Sequence, residues 1–279
     1  MNAPIPAEFD YEEKNDGTYA VSVLSATQHL TYPIEHCGKR VTEIRADWEP
    51  LSNRNLVERV TLPEGIEIIG YQSFFEMRSL KEADLPQSLT EIEDFAFGSC
   101  DTLSQISLPP SVQKIGIGAF YRCKALEQVS LSSALCEIGK QAFSGCEQLT
   151  SIRIPKGVRE IGLWAFEDCP SMKMILVDSE NPFFCSIDGV LYSADKTQLI
   201  RYPAGKTATE FTVPEGVTEI ADSAFLAAPL LKVLHLPSTL RIIGDAAFCG
   251  CNALTVVNLP KGIQFIGEDA FFDCPLAKN

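Results

Sequence analysis

The stretch AFYRCKAL at residues 119–126 is preceded by AFGSCDTL at 96–103 and followed by AFSGCEQL at 142–149. Each copy restates Ala-Phe, then Cys, then Leu, and neighbouring copies are offset by 23 residues. Internal periods of about 20 to 50 residues are typical of proteins in which each repeat stacks on the next one. This short stretch therefore decides the fold class.

The repeat extends over most of the chain. When position 1 is the residue before the recurrent proline, a complete repeat reads LPPSVQKIGIGAFYRCKALEQVS at residues 108–130. Regular repeats begin at residues 62, 85, 108, 131, 154, 213, 236 and 259, and one long repeat of 36 residues spans 177–212. Every regular repeat has Ile at position 8 and Phe at position 13. Stacking would place these side chains above one another and form a continuous core.

Within one repeat, the pattern predicts two short extended segments and a tight turn. LTSIRIP at 149–155 alternates apolar and polar residues like a half-buried strand, which proline ends. VREIG at 158–162 is a second short extended segment, and AFEDC at 165–169 is a tight or 3₁₀-like turn. The short period and the recurrent proline exclude an α-helical solenoid.

The pattern LPxxVxxIGxxAFxxCxxLxxV over residues 62–276 resembles the BspA-like class of bacterial leucine-rich repeats, and residues 186–206 resemble the longer unit often inserted in that family. The resemblance implies a leucine-rich-repeat solenoid, a right-handed superhelix of short parallel β-strands with 3₁₀ or helical turns. Members of the family are mostly surface or secreted proteins linked to adhesion and to contact with host or bacterial cells. The resemblance therefore implies a binding function and a location on the cell surface or outside the cell.

Two segments depart from the repeat. Residues 1–61 are predicted to form an N-terminal cap, with a β-hairpin around Asn15-Asp16-Gly17 and a degenerate repeat at 40–48, before the solenoid at 62–279. The long repeat is predicted to carry a hairpin of residues 190–193 and 199–202 joined by a turn at 194–196. Its aromatic residues either pack the hairpin onto the solenoid or form a protruding contact; they are Phe183, Phe184, Tyr192 and Tyr202.

Cysteine recurs at position 16, where two other regular repeats have Met77 and Ala228. This exchange indicates a buried apolar position, which a thiol fills well. In-register neighbours ~4.8 Å apart are too distant for the Cβ separation that disulfides favour. Cys249-Gly-Cys251 has no CxxC partner, so no zinc site is predicted.

Composition excludes several function classes. A formal charge of −14 argues against nucleic-acid binding, and no apolar run is long enough to span a bilayer. The N-terminal sequence lacks the apolar segment of a signal peptide, so a cytoplasmic chain is the alternative to the surface location. His29, His36 and His235 form no metal or catalytic pattern. We predict no enzyme, no catalytic residue, no metal and no cofactor.

The predicted binding surface is the strand face, taken as the concave side, where positions 20, 21 and 23 point away from the core. Position 21 changes from charged residues in the first repeats to apolar residues in the last ones. A row of exposed apolar residues with a polar rim is typical of a partner surface. The predicted partner-binding residues are Lys173, Met174, Glu210, Lys232, Val233, His235, Val256 and Asn258.

The favoured function is a binding or adhesion scaffold for a protein or glycan ligand. The alternatives are a structural spacer that displays another domain and, more remotely, an enzyme with a site in the insertion at 177–212. The chain is expected to be a monomer or to associate weakly end to end, because Ala277 and Asn279 leave the last repeat incomplete.

Overall fold

The structure is a computed structural model that describes residues 7–46 and 53–276. The chain forms two compact units, an N-terminal unit of residues 1–148 and 160–167 and a C-terminal unit of residues 149–159 and 168–279. Both are built from turns of one β-solenoid fold. Within the described residues the only helix is a 3₁₀ turn at Arg54–Leu56. The position-13 turns are therefore tight turns and not 3₁₀ helices.

The strands are short and follow the repeat. The first thirteen are β1 (Glu8–Glu13), β2 (Tyr19–Ser25), β3 (His29–Thr31), β4 (Glu35–His36), β5 (Lys39–Ile44), β6 (Arg59–Thr61), β7 (Ile68–Ile69), β8 (Glu82–Asp84), β9 (Glu91–Ile92), β10 (Gln105–Ser107), β11 (Lys114–Ile115), β12 (Gln128–Ser130) and β13 (Glu137–Ile138). The others are β14 (Ser151–Ile154), β15 (Glu160–Ile161), β16 (Met174–Val177), β17 (Phe184–Ile187), β18 (Val190–Ser193), β19 (Gln198–Arg201), β20 (Glu210–Thr212), β21 (Glu219–Ile220), β22 (Val233–His235), β23 (Ile242–Ile243), β24 (Val256–Asn258) and β25 (Phe265–Ile266).

In the N-terminal unit, one nine-stranded sheet has the order β1-β2-β5-β7-β9-β11-β13-β15, with β4 beside β5. Its strands from β5 onward pair in parallel with like residues in register, as Ile115 does with Ile92 and Ile138. The position 21–23 strands form separate smaller sheets, β3-β6-β8 and β10-β12. In the C-terminal unit the corresponding sheets are β17-β18-β19-β21-β23-β25, β14-β16 and β20-β22-β24.

The phenylalanines of position 13 form the predicted stack. In the N-terminal unit the rings of Phe97 and Phe120 lie 5.4 Å apart and nearly parallel, and those of Phe120 and Phe143 lie 5.3 Å apart. In the C-terminal unit Phe225 stacks on Phe248 at 5.0 Å. Offset stacking at these separations stabilises aromatic pairs beyond the burial of their area.

Two backbone positions of each regular repeat are left-handed, which sequence reasoning did not predict. Position 11 has φ between 51° and 61° in all eight regular repeats, yet only Gly118 of these residues is glycine. Position 15 has φ between 50° and 75° in the same repeats. A non-glycine residue in this region is disfavoured by roughly 1 kcal/mol. The Phe packed at position 13, between the two, and backbone hydrogen bonds to the next repeat, such as that from the amide of Phe97 to the carbonyl oxygen of Ala119 at 2.8 Å, offset this cost.

The N-terminal hairpin is confirmed. β1 and β2 pair antiparallel on either side of the predicted turn, and β2 continues in parallel to β5. Val41 and Ile44 are buried, and Ile44 pairs with Ile69, as predicted for a degenerate repeat. Residues 47 and 48 of that repeat lie outside the described residues. The domain boundary at residue 61 stays a prediction.

The long repeat contains the predicted hairpin and one strand more. β18 and β19 pair antiparallel, and β17, which was not predicted, adds to β18 on its other side. β19 pairs in parallel with β21, and Tyr202 stacks on Phe225 at 4.9 Å, so this tyrosine extends the Phe stack. Tyr192 and Tyr202 are buried while Phe183 is 48% exposed. The aromatic residues thus mostly pack the insertion into the core.

All ten cysteines lie in the described residues, and none forms a disulfide. The position-16 thiols do more than fill space, because the Sγ of Cys123 donates to the carbonyl oxygen of Phe97 at 3.0 Å and the Sγ of Cys251 to that of Phe225 at 3.1 Å. Burial raises the pKa of both thiols to about 12. They should therefore be slow to react with thiol reagents in the folded protein.

The last repeat is more exposed than the others. Ile266 at position 8 is exposed, whereas Ile243 at the same position of the preceding repeat is fully buried. Leu276 is partly buried and packs against the core of the C-terminal unit. Ala277 and Asn279, on which the expected end-to-end association rests, lie outside the described residues, and that association stays a prediction.

We predict different stabilities for two substitutions in the same repeat. Phe120→Ala removes a fully buried ring from the middle of a stack and should lower the free energy of unfolding by roughly 3 to 5 kcal/mol. Cys123→Ala removes one sulfur and one weak hydrogen bond and should lower it by about 1 to 2 kcal/mol. Urea unfolding followed by circular dichroism measures both values. Equal losses would show that the thiol has a role which packing does not explain.

A second prediction concerns pH. Burial tends to raise the pKa of Glu43, but hydrogen bonds from Arg45 at 2.5 Å and from Lys14 at 3.0 Å outweigh it, and the pKa is lowered. Because the pKa is lower in the folded state, the ionised Glu43 carboxylate adds to the free energy of unfolding at pH values above its unfolded-state pKa of about 4.3. This contribution is lost as the pH falls through the folded-state pKa.

Glu43→Gln should therefore lower the free energy of unfolding by about 1 to 3 kcal/mol at neutral pH. The difference from the wild type should shrink progressively as the pH falls below the unfolded-state pKa and Glu43 itself becomes protonated. Urea titrations at a series of pH values from neutral downward test this. A difference that persists unchanged in acid would contradict the role given to the ionised carboxylate.

Candidate binding surfaces

The strand face consists of the outward side chains of the position 21–23 strands. On β10, Gln105 and Ser107 are exposed while Ile106 between them is buried, and β22 alternates in the same way around Leu234. Parallel pairing in register then places outward residues of one strand directly beside their counterparts on the next one. The strand face is described below for each unit.

In the C-terminal unit, six of the eight predicted residues come together. β20, β22 and β24 pair in parallel, with Glu210 opposite Val233 and Val233 opposite Val256. His235 pairs with Asn258 in the neighbouring row, and Lys232 directly precedes β22. Val256 is 50% exposed and Val233 is half-buried. We call this surface, formed by Glu210, Lys232, Val233, His235, Val256 and Asn258, the valine surface.

Lys173 and Met174 lie on a different sheet. β16 pairs with β14. The turn at residues 188–189, between β17 and β18 of the insertion, lies beside β16, and the amide of Ile175 donates to the carbonyl oxygen of Gly189 at 2.8 Å. Gly189 has φ 76°, and a Cβ there would lie only 2.7 Å from the Cβ of Met174. The insertion therefore separates Lys173 and Met174 from the valine surface. The sequence predicted the insertion, but it did not predict that the turn between β17 and β18 lies beside β16.

The polar members of the valine surface have different partners. His235 Nε2 lies 2.9 Å from the carboxylate of Glu210. Asn258 accepts a hydrogen bond from the amide of Leu236 at 3.0 Å, so its side chain also has a structural role. Lys232 is exposed and makes no ion pair with any described residue, whereas Lys81 and Lys114 bind Glu58 and Glu91 of adjacent repeats. The valine surface thus combines apolar area with an uncompensated positive charge.

The N-terminal unit has a groove that sequence reasoning missed. It has a volume of about 750 Å³ and lies over β8, β10 and β12. Its floor and rim come from these strands and from the turns after them, including Leu85, Pro109 and Pro110. β8 and β10 belong to different sheets, so the groove crosses a break in the backbone hydrogen-bond ladder.

Four polar side chains in this groove are in register and have no hydrogen-bond partner among the described residues. Gln105 pairs with Gln128 and Ser107 with Ser130, and no described residue hydrogen-bonds to these four side chains. The same amide and the same hydroxyl at positions 21 and 23 of two consecutive repeats were visible in the sequence. The prediction overlooked them because it followed apolar residues along position 21.

The structure shows ordinary surroundings for the other candidate groups. The ring of His36 stacks on that of Tyr11 with 3.8 Å between centroids, and His29 is exposed on β3. Over residues 7–46 and 53–276, no three His, Cys, Asp or Glu side chains are placed to hold a metal ion. No helix in the same ranges is long and apolar enough to cross a membrane.

Comparison of the sequence with family profiles identifies the repeat. Six copies of the BspA type leucine-rich repeat region match residues 51–173 and 204–279. The chain therefore belongs to the BspA-type leucine-rich repeat family. The stretch between the two matches, residues 174–203, contains β17, β18 and β19 of the insertion. No curated protein sequence matches the chain.

Solved structures show the same fold. The pneumococcal vaccine antigen PcpA is 26% identical with a TM-score of 0.82, and the match covers 94% of this chain and 76% of PcpA. A leucine-rich cell surface protein from Faecalibacterium prausnitzii is 24% identical with a TM-score of 0.74, covering 99% of this chain and 82% of that one. A leucine-rich repeat protein from Bacteroides ovatus is 22% identical with a TM-score of 0.60, covering 98% and 81%.

The position of the turn between β17 and β18 gives a testable prediction. Gly189→Ala would combine a left-handed φ with a clash against Met174, and it should lower the free energy of unfolding by about 1 to 3 kcal/mol. Gly216→Ala is the matched control, because Gly216 also has a positive φ of 98° but nothing within 4 Å of a new Cβ. Urea unfolding and the methyl NMR signal of Met174 are the measurements. An equal loss in both variants, with an unmoved Met174 signal, would show that the turn does not contact β16 closely.

Proposed function

We propose that this protein is a non-enzymatic binding scaffold that holds a protein partner on the valine surface. The observation that carries the proposal is the pairing of Val233 with Val256 on the outward side of two adjacent strands, beside the unpaired Lys232. Exposed valines on a strand face are not needed for the core, which the inward residues such as Leu234 supply. A partner would remove this apolar area from water.

The charges around the valines indicate which partner chemistry fits. Lys232 lies on one side of Val233, and the His235–Glu210 pair lies in the neighbouring positions. The chain as a whole carries a formal charge of −14, whereas Lys232 places a positive charge without an ion-pair partner among the described residues beside this apolar patch. Complementary charge favours specificity and association rate. The partner surface is therefore expected to combine an apolar side chain with a carboxylate.

We further propose that the protein acts on the bacterial cell surface or outside the cell. The proposal is supported by the likeness to PcpA, which is a vaccine antigen, and by family membership. Adhesion to a protein on another cell would suit a rigid scaffold, since a preformed surface loses little conformational entropy on binding.

Substitution of both valines tests the proposal. Val233→Asp with Val256→Asp should reduce binding of the labelled protein to epithelial or bacterial cells by about tenfold or more, because it buries charge in the interface. The melting temperature should fall only slightly, through repulsion of the two new carboxylates from each other and from Glu210, since both side chains lie on the outward side of their strands. Flow cytometry and thermal unfolding are the measurements.

Thr207→Asp with Gln264→Asp is the control, because it adds the same charge to the C-terminal unit at exposed positions outside the valine surface. Trypsin treatment of the cells should abolish wild-type binding if the partner is a protein. A large fall in melting temperature in the valine variant that added salt does not reverse would show that these side chains belong to the core. Unchanged binding by a folded valine variant would refute the proposed surface.

A further inference from the structure

The groove of the N-terminal unit is chemically unlike the valine surface. Its outward side chains on β10 and β12 are two amides and two hydroxyls, all uncharged. Each of these groups can both donate and accept hydrogen bonds. They are exposed and have no partner among the described residues, so they can bind a ligand without breaking an internal contact.

The charged residues at the upstream side of the groove are paired with one another, with one carboxylate in excess. Arg59 binds the carboxylates of both Glu82 and Asp84, and Asp84 also accepts a hydrogen bond from Thr61 at 3.2 Å. Lys81 binds Glu58 at 2.9 Å. Arg59 carries one positive charge against two carboxylates, so this side of the groove keeps one net negative charge, which disfavours an anionic ligand. The amides and hydroxyls of β10 and β12 add no charge, and a neutral ligand fits them best.

The spacing of the uncharged groups indicates the kind of neutral ligand. Parallel pairing repeats the Gln-x-Ser pattern at ~4.8 Å from β10 to β12, which is close to the length of one hexose along a glycan chain. A peptide alternates N–H and C=O groups, whereas a sugar presents hydroxyls that both donate and accept. Pro110 and Leu85 on the rim offer apolar area for the C–H face of a sugar ring.

We propose that this groove binds a neutral oligosaccharide, with Gln105 and Gln128 contacting hydroxyls of successive hexoses and Ser107 and Ser130 contacting the same rings from the neighbouring row. No ladder of backbone hydrogen bonds joins β8 to β10. The backbone polar groups that face this break extend the polar floor of the groove. None of the described lining residues is aromatic, so ring stacking does not contribute. We therefore expect weak, millimolar binding. This site is independent of the valine surface.

Saturation-transfer NMR with the whole chain tests the proposal, with cellohexaose, maltohexaose and chitohexaose as probes at millimolar concentration. At least one of these neutral hexaoses should receive saturation from the protein. Gln105→Ala with Gln128→Ala should weaken its binding about fivefold, as expected for the loss of hydrogen bonds worth about 1 kcal/mol. Ser107→Ala with Ser130→Ala should weaken it to a similar extent.

Gln113→Ala with Gln148→Ala is the matched control, because both glutamines are exposed in the same unit and neither lines the groove. It should bind as the wild type does. The valine variant should also bind the hexaose normally, which separates this proposal from the proposed function.

Three results would overturn the proposal. The first is the absence of transfer to all three neutral hexaoses. The second is binding that survives both groove variants at unchanged melting temperature. The third is tighter binding of a charged probe, hexagalacturonate, or of a Gly-Ser hexapeptide than of any neutral hexaose, since either would assign the groove to another ligand class.

Discussion

Backbone hydrogen bonding between successive repeats is the constraint on which the rest of the structure depends. The amide of Gly139 donates to the carbonyl oxygen of Ile115 at 2.8 Å, and the amide of Gly162 donates to that of Ile138 at the same distance. Because this pairing keeps the 23-residue offset, each side chain lies beside its counterpart in the next repeat. The isoleucine ladder, the phenylalanine stack and the thiol ladder all follow from this register.

The same register explains how much the sequence could reveal. Core positions could be read directly, because a buried position in one repeat is buried in nearly all of them, as Ile115 and Phe120 show. The Asn15-Asp16-Gly17 hairpin and the β18–β19 hairpin also carried local turn signals. The left-handed φ of Phe95 and Trp164 could not be predicted, since local preference disfavours it and contacts between repeats hold it. For Phe95 these include the hydrogen bond from its amide to the carbonyl oxygen of Ile117 at 2.8 Å.

The candidate surfaces were less predictable because they depend on where the register is interrupted. The row from Met174 to Val256 looked continuous in the sequence, yet Gly189 approaches Met174 and separates it from the valine surface. The groove arises from a break between β8 and β10 that no residue type announces. Interruptions of this kind depend on small differences in how neighbouring repeats stack, and a single repeat does not contain that information.

The register also controls the electrostatics of the surface. An offset of 23 residues brings Glu58 to Lys81 and Glu91 to Lys114, so a chain with a formal charge of −14 neutralises much of its strand and edge charge within itself. Such exposed pairs stabilise the fold only slightly. Their larger effect is on recognition, because they leave few polar groups available to a ligand. Where the pattern omits the partner, as at Lys232 and at the Gln105–Gln128 pair, hydrogen-bonding or charged groups remain open. A solenoid of nearly identical repeats can thus bind a ligand selectively through the few positions at which a polar or charged side chain has no partner in the adjacent repeat.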